Sequence, residues 1–235
     1  MFVKRKKLIW GISTKADGSM KFSNERTDWK VLINRKMFFS KIKIDLANVV
    51  SAEAVHGNKI KVVNRQDAGK VIKNVDGLIT DSKKVFLAVT VADCLPIYLF
   101  DSKTKVIGLL HAGWRGLEKN IIENAIKAMI KKFKVKLAHL EVWIGPYIKS
   151  CHYRVRNDLI NKFSNYPEAL IIKNNKYFID LACIAKQKFI DTGVNNVNIK
   201  ISLKCAHCLK DKYYSYRRDK PKRLKAMVAY IGQRI

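Results

Sequence analysis

Two histidines and a cysteine stand where a metal ion or a thiol nucleophile would need them. Cys94 follows the apolar stretch Val85–Val91 in Ala92-Asp93-Cys94-Leu95-Pro96. His111 ends a second apolar run that starts at Val106, just ahead of Ala112-Gly113-Trp114-Arg115-Gly116-Leu117. His56 lies in Val55-His56-Gly57, at a predicted turn between strands. Side chains at the ends of neighbouring strands can meet. Catalytic zinc takes three protein ligands and keeps a fourth position for water, and His56, Cys94 and His111 supply one thiolate and two imidazoles. Such an ion lowers the pKa of water from about 15.7 to about 7. Asp93 is placed to orient a ligand or to move a proton. A blander reading stands beside this one: a cysteine in an apolar strand is commonly a small buried side chain. The spacings of 38 and 17 residues also match no local zinc signature.

Arg115 precedes a helix predicted from Leu117, where free backbone N–H groups and the positive dipole end favour an anion. That makes it a candidate phosphate contact. Cys205-Ala-His207-Cys208 is half of a structural zinc site or a redox pair. No second CxxC occurs, and although Cys151-His152 can complete a site, the pair is expected to be structural or incidental and to hold no second metal. Tyr213-Tyr-Ser-Tyr-Arg217-Arg218-Asp219 either clamps a base or phosphate or is a strand end with a solvated charge pair. His139 reads as a surface residue.

The elements around these residues are mostly strands. Leu8–Trp10, Val31–Ile33, Lys41–Asp45, Val49–Val55 and Lys59–Val63 read as short strands. Asp76–Thr80 reads as a turn entering a strand, while Phe86–Val91, Leu95–Phe100 and the run from Val106 are nearly uniformly apolar, as suits buried strands. Leu117, Ile121, Ile122, Ala125, Ile126, Met129 and Phe133 recur at helical spacing. Leu140–Ile144, Val197–Leu203 and Ala226–Ile231 read as strands, and the stripe Leu181, Ala185, Phe189 as a helix ending at Gly193. With no linker or repeat, residues 1–235 read as one α/β domain with mixed sheets and helices outside.

The formal charge of +28 suggests nucleic-acid binding through phosphate contacts. Lysines outnumber arginines 36 to 11 and are dispersed, whereas base-specific readers rely on bidentate arginine. The charge therefore reads as a solvated surface, with no specific nucleic-acid partner. Only a few apolar residues follow the basic start Lys4–Lys7, and Val85–Phe100 is too short and too polar to cross a bilayer. The expectation is a cytoplasmic protein with free thiols and no membrane contact, acting as a monomer.

Asp76-Gly-Leu-Ile-Thr80, Ala92-Asp-Cys94-Leu-Pro96, His111-Ala-Gly-Trp-Arg-Gly116, Ile144-Gly-Pro146 and Cys205-x-x-Cys208 followed by Tyr214-Ser-Tyr-Arg217-Arg218 occur in that order. The chain resembles the laccase-domain family, also called polyphenol oxidase-like or peptidoglycan editing factor, from about residue 8 onward. The resemblance implies an α/β/β/α layered domain and Zn²⁺ on His56, Cys94 and His111. It also implies phosphorolysis of adenosine, inosine, guanosine and methylthioadenosine, with deamination of adenosine. Copper is attached to the family too, but one mononuclear His₂Cys set is a poor fit to multicopper oxidation. Three positions depart from the family pattern: Lys15 replaces an arginine, Ala54 a glutamine and Arg154 an acid. Two other classes remain open. A metal-independent hydrolase of peptidoglycan precursors or amides would use Cys94 as nucleophile and His111 as base. A nucleic-acid-binding protein would use the charge.

Overall fold

The buried apolar runs expected between residues 86 and 112 form the centre of the computed structural model, which describes residues 7–22 and 28–234. The basic start, Lys4–Lys6, lies outside the described residues. In chain order the first elements are β1 (Leu8–Ile12), α1 (Trp29–Lys41), β2 (Val49–Glu53), β3 (Ile60–Val62), β4 (Val71–Lys73), β5 (Gly77–Thr80) and β6 (Phe86–Val91). Then come β7 (Leu95–Asp101), β8 (Ile107–Ala112), α2 (Trp114–Glu118), α3 (Ile121–Phe133), β9 (Leu140–Ile144), β10 (Arg154–Val155) and α4 (Asn157–Lys162). The last are β11 (Leu170–Lys173), β12 (Lys176–Ile179), α5 (Leu181–Asp191), β13 (Ile199–Ile201), α6 (Tyr216–Asp219) and β14 (Met227–Gln233).

Two mixed sheets stack face to face. One has the order β1-β14-β6-β2-β4, the other β13-β9-β7-β8-β5-β3. Alternation along each strand divides the core. Leu87, Val89 and Val91 of β6 meet Tyr98 and Phe100 of β7 and Leu109 of β8 between the sheets. The opposite face of β7 and β8, with Ile97, Leu99 and Leu110, packs under Ile122, Ala125 and Met129 of α3 and Ala182, Ala185 and Phe189 of α5. On the outside of the first sheet, Phe38 and Phe39 of α1 cover Phe86, Ala88 and Tyr230. These are the α/β/β/α layers that the resemblance implied. Burying each of the Val, Leu, Ile, Met and Phe side chains among these stabilises the fold by about 1.5–3 kcal/mol. Strands β10, β12 and β11 form a small separate sheet.

Three local expectations are corrected. Val31–Ile33 is not a strand but part of α1, capped by Asp28, whose carboxylate accepts from the Val31 amide at 3.3 Å. The end of α1 and the turn after it also replace the strand expected over Lys41–Asp45. The helix expected from Leu117 is broken. Asn120 takes the left-handed conformation (φ 62°) and separates the five-residue α2 from α3. Asn tolerates that region better than most residues, and Lys188 Nζ donates to its side chain at 2.9 Å.

Candidate metal centre and active-site cleft

Two crossings between the sheets and one strand end, all at one end of the sandwich, deliver the chemistry. The chain passes from β2 in one sheet to β3 in the other through His56, and from β6 to β7 through Asp93 and Cys94. His111 sits near the end of β8, in register with Pro96 of β7. The ligand atoms of His56, Cys94 and His111 all lie within 4.8 Å of one another. Gly113 leaves room for them: a Cβ there would stand 2.9 Å from Cys94 Sγ and 3.3 Å from His56 Cδ2.

Asp76 holds the β2–β3 crossing and the end of β8 in place. Its buried carboxylate accepts from the amides of Val55 (3.3 Å), His56 (2.9 Å) and Gly57 (2.7 Å), and its Oδ1 stands 3.0 Å from His111 Nδ1. The contact to His111 leaves Nε2 as the nitrogen free for the cleft. This is the carboxylate–histidine arrangement that fixes ring orientation at metal sites. It also holds His56 in the left-handed region (φ 59°). In the sequence Asp76-Gly77 reads only as a turn within the Asp76–Thr80 motif. The available signal is an acid immediately before a short, mostly apolar strand.

The electrostatics fit a cation. Burial alone would push the Cys94 thiol up, but the neighbouring His111, helped by His56, brings it down to about 6. Burial disfavours a charged His111, yet the Cys94 sulfur and the Asp76 carboxylate lift it to about 9. Two imidazoles and a readily ionised thiol, backed by a carboxylate, are a donor set that fits Zn²⁺. Asp93 is also unusual. Its φ is 85°, its backbone carbonyl accepts from the Ile148 amide at 3.0 Å, and its Oδ2 accepts from the Arg217 amide at 2.7 Å. Its Oδ1 is buried with no hydrogen-bond partner among the described residues. Burial raises its pKa against the pull of the Arg217 amide and the Ser215 hydroxyl.

These residues floor a cavity of about 400 Å³ whose walls include Trp114, Arg115, Tyr153, Tyr216 and Arg217. The Arg115 guanidinium lies 4.3 Å from the Trp114 ring centroid, and that of Arg217 lies 5.0 Å from Tyr153. Arg115 is therefore at the cleft, but inside the short α2 rather than before a long helix. A helix of only five residues lends it little of the expected dipole. Of the three departures, Ala54 lines the cavity. Arg154 lines an adjoining groove that shares Trp114, Tyr153 and Arg217. Lys15 lies instead against Tyr214, 5.5 Å from its ring centroid. The Tyr213–Asp219 segment is not a strand end, although Arg218 does pair with Asp219, its Nε donating to Oδ1 at 2.7 Å. It contains the short helix α6, which brings Tyr216 and Arg217 to the cleft, while Arg218 turns back onto the carbonyls of Ala206, His207 and Tyr213.

A family model described as multi-copper polyphenol oxidoreductase laccase matches residues 2–233. The chain belongs to this family. It is 29% identical over 250 residues to purine nucleoside phosphorylase YlmD of Bacillus subtilis, covering 97% of this chain and 90% of the relative. The YlmD crystal structure from Geobacillus stearothermophilus superposes with a TM-score of 0.86 at 28% identity, over 97% of this chain and 92% of that one. The crystal structure of the Bacillus licheniformis hypothetical protein YfiH gives 0.87 at 29% identity, over 96% and 92%. No helix among the described residues is long and apolar enough to cross a membrane.

A second cluster corrects an expectation. Cys205 and Cys208 are not left without partners: Cys151 and His152 meet them, all four ligand atoms within 4.8 Å of one another.

Proposed function

We propose that this chain is a zinc-dependent purine nucleoside phosphorylase that also deaminates adenosine. Adenosine, inosine, guanosine and methylthioadenosine are its substrates, and it works as a cytoplasmic monomer. The observation that carries the reading is the His56–Cys94–His111 set at the floor of an aromatic- and arginine-walled cavity, in a chain whose relatives are named purine nucleoside phosphorylases. Zn²⁺ held by those three residues would supply Lewis acidity next to the substrate at neutral pH.

The chain's own groups do the rest. Trp114, Tyr153 and Tyr216 offer ring faces to a purine, and a base stacked on an aromatic ring is worth about 1–3 kcal/mol. Arg115 and Arg217 supply positive charge for phosphate through charge-assisted hydrogen bonds. In phosphorolysis a phosphate oxygen bonds to C1′ as the C1′–N9 bond breaks. The purine leaves with the bonding pair and takes up a proton. Asp93, shifted toward its neutral form, is the group suited to hand that proton over. In deamination water adds at C6 and ammonia leaves, with Asp93 again moving the proton. Lys15, Ala54 and Arg154 stand where the family pattern differs, and Ala54 and Arg154 are the ones positioned to alter substrate preference.

The test is to incubate zinc-loaded protein with each nucleoside and phosphate, following free base, ribose 1-phosphate and inosine. Turnover that falls to background on chelation and returns with Zn²⁺ is expected. Failure of all four nucleosides with fully loaded protein would overturn the reading. Nucleoside turnover that survives chelation would overturn the zinc dependence, and hydrolysis of an amide or peptidoglycan precursor by metal-free protein would favour the Cys94–His111 hydrolase.

A further inference from the structure

The Cys151–His152–Cys205–Cys208 cluster has the dimensions of a closed tetrahedral site. Cys151 Sγ lies 3.7 Å from Cys205 Sγ and 3.6 Å from Cys208 Sγ. His152 Nδ1 lies 3.3 Å from both Cys151 Sγ and Cys208 Sγ. With Zn–S near 2.3 Å and Zn–N near 2.0–2.1 Å, a tetrahedron has S···S edges of about 3.8 Å and S···N edges of about 3.6 Å. The observed edges need to open by only a few tenths of an ångström. A disulfide would need two sulfurs to close to about 2.0 Å and would leave the third thiol over.

The surroundings are those of a ligand set held in place. Strands β9 and β13 are parallel neighbours, so the segments that follow them leave the same end of the sheet. Tyr147 and Cys205 form a parallel bridge, with the Ala206 amide donating to the Tyr147 carbonyl at 2.8 Å. The Lys149 amide donates to Cys205 Sγ at 3.5 Å. The His207 ring stacks on His152 at 3.9 Å with 15° between planes, fixing the ligand imidazole. Arg218 clamps the loop from the other side through the carbonyls of Ala206 (3.0 Å) and His207 (2.7 Å).

We propose that Cys151, His152, Cys205 and Cys208 bind a second, structural Zn²⁺ ion. Three soft sulfur donors and an imidazole suit Zn²⁺ over the harder divalent ions. Four protein ligands leave no open position, so this ion does no chemistry on substrate. It ties the segment that carries Ile148 and Tyr153 into the cleft to the segment that carries Tyr216 and Arg217, and so sets one wall of the cavity.

The decisive experiment uses the full chain and its Cys94→Ala variant, which leaves the surface cluster intact. Metal analysis of the variant should find one zinc per chain. After stripping and Co²⁺ loading, it should show the visible and thiolate charge-transfer bands of a tetrahedral three-thiolate site. That arm reads the surface site whether or not the cleft holds a metal. Cys208→Ser and His152→Ala, each in the wild-type background, should lose one equivalent and those bands. A Cys94→Ala chain that takes up no metal would overturn the proposal. So would a disulfide among Cys151, Cys205 and Cys208 found by intact mass in freshly isolated protein. Should the ligand variants fail to fold, the Cys94→Ala titration still decides.

Discussion

The two Cys/His clusters use the same donor types and differ in almost everything else. The cleft set has three donors, a buried carboxylate behind His111 and a cavity in front. The surface set has four donors, a stacked histidine and a backbone amide behind it, and none of its residues lines the cavities described above. Donor count and what stands behind each donor therefore separate a set that opens on a cavity from one that only joins two loops. Sequence spacing does not, since both sets are scattered along the chain.

The largest expected effect that sharpens this contrast comes from Cys94→Ala. It should abolish phosphorolysis and deamination together while the melting temperature changes little, because the surface set is untouched. Retained activity in that variant would erase the distinction between the two sites.

Asp76→Asn should come next. It keeps the side chain's shape but removes the charge behind His111 and turns an NH2 group toward backbone amides that now donate to a carboxylate oxygen. Loss of such a partner typically weakens metal binding about 10–100-fold. Competition with a chelator measures it, and zinc affinity at the surface set should not move. A parallel loss at both sites would mean that Asp76 acts through global stability.

Arg115→Ala tests the wall of the cleft. One lost charge-assisted contact at an exposed position costs about 1.5 kcal/mol, or roughly tenfold in the KM for phosphate. Adenosine deamination, which needs no phosphate, should fall less. If Arg115 serves only to hold Trp114, both rates should drop together with the melting temperature.

The smallest effect concerns the charge. Dispersed lysines predict weak binding to DNA and RNA that disappears at moderate salt and has no sequence preference. A competition assay that finds one strongly preferred sequence or RNA structure would make the surface, and not the cleft, the functional region.

What could be read from the sequence followed local physics. Strands β6 to β8 were legible because burial on both faces leaves almost no polar residue in them, and Cys94 and His111 stood out at their ends, as did His56 after β2. Helix α1 was not. Val31, Phe38 and Phe39 face inward with a buried Arg35, while Trp29, Ile33 and Met37 are exposed, so apolar residues lie on both sides and the period is blurred. Arg35 is tolerated inside because its guanidinium donates to the Met20 carbonyl and the Ser51 hydroxyl. The surface cluster was hidden for a different reason. Its halves lie 53 residues or more apart, and only the parallel pairing of β9 with β13 brings them together. The role of Asp76 was missed because three of its contacts are to backbone, which no residue pattern records.

The outer strands give the lysines a further consequence. β3 (Ile60–Val62), β4 (Val71–Lys73) and β13 (Ile199–Ile201) each end a sheet, each is three residues long, and each carries one exposed lysine: Lys61, Lys73 or Lys200. An unpaired strand edge is a template for another chain, and short length together with an outward ammonium is a common way to blunt it. Part of this chain's large positive charge thus falls where it discourages the sheets from growing beyond a single molecule.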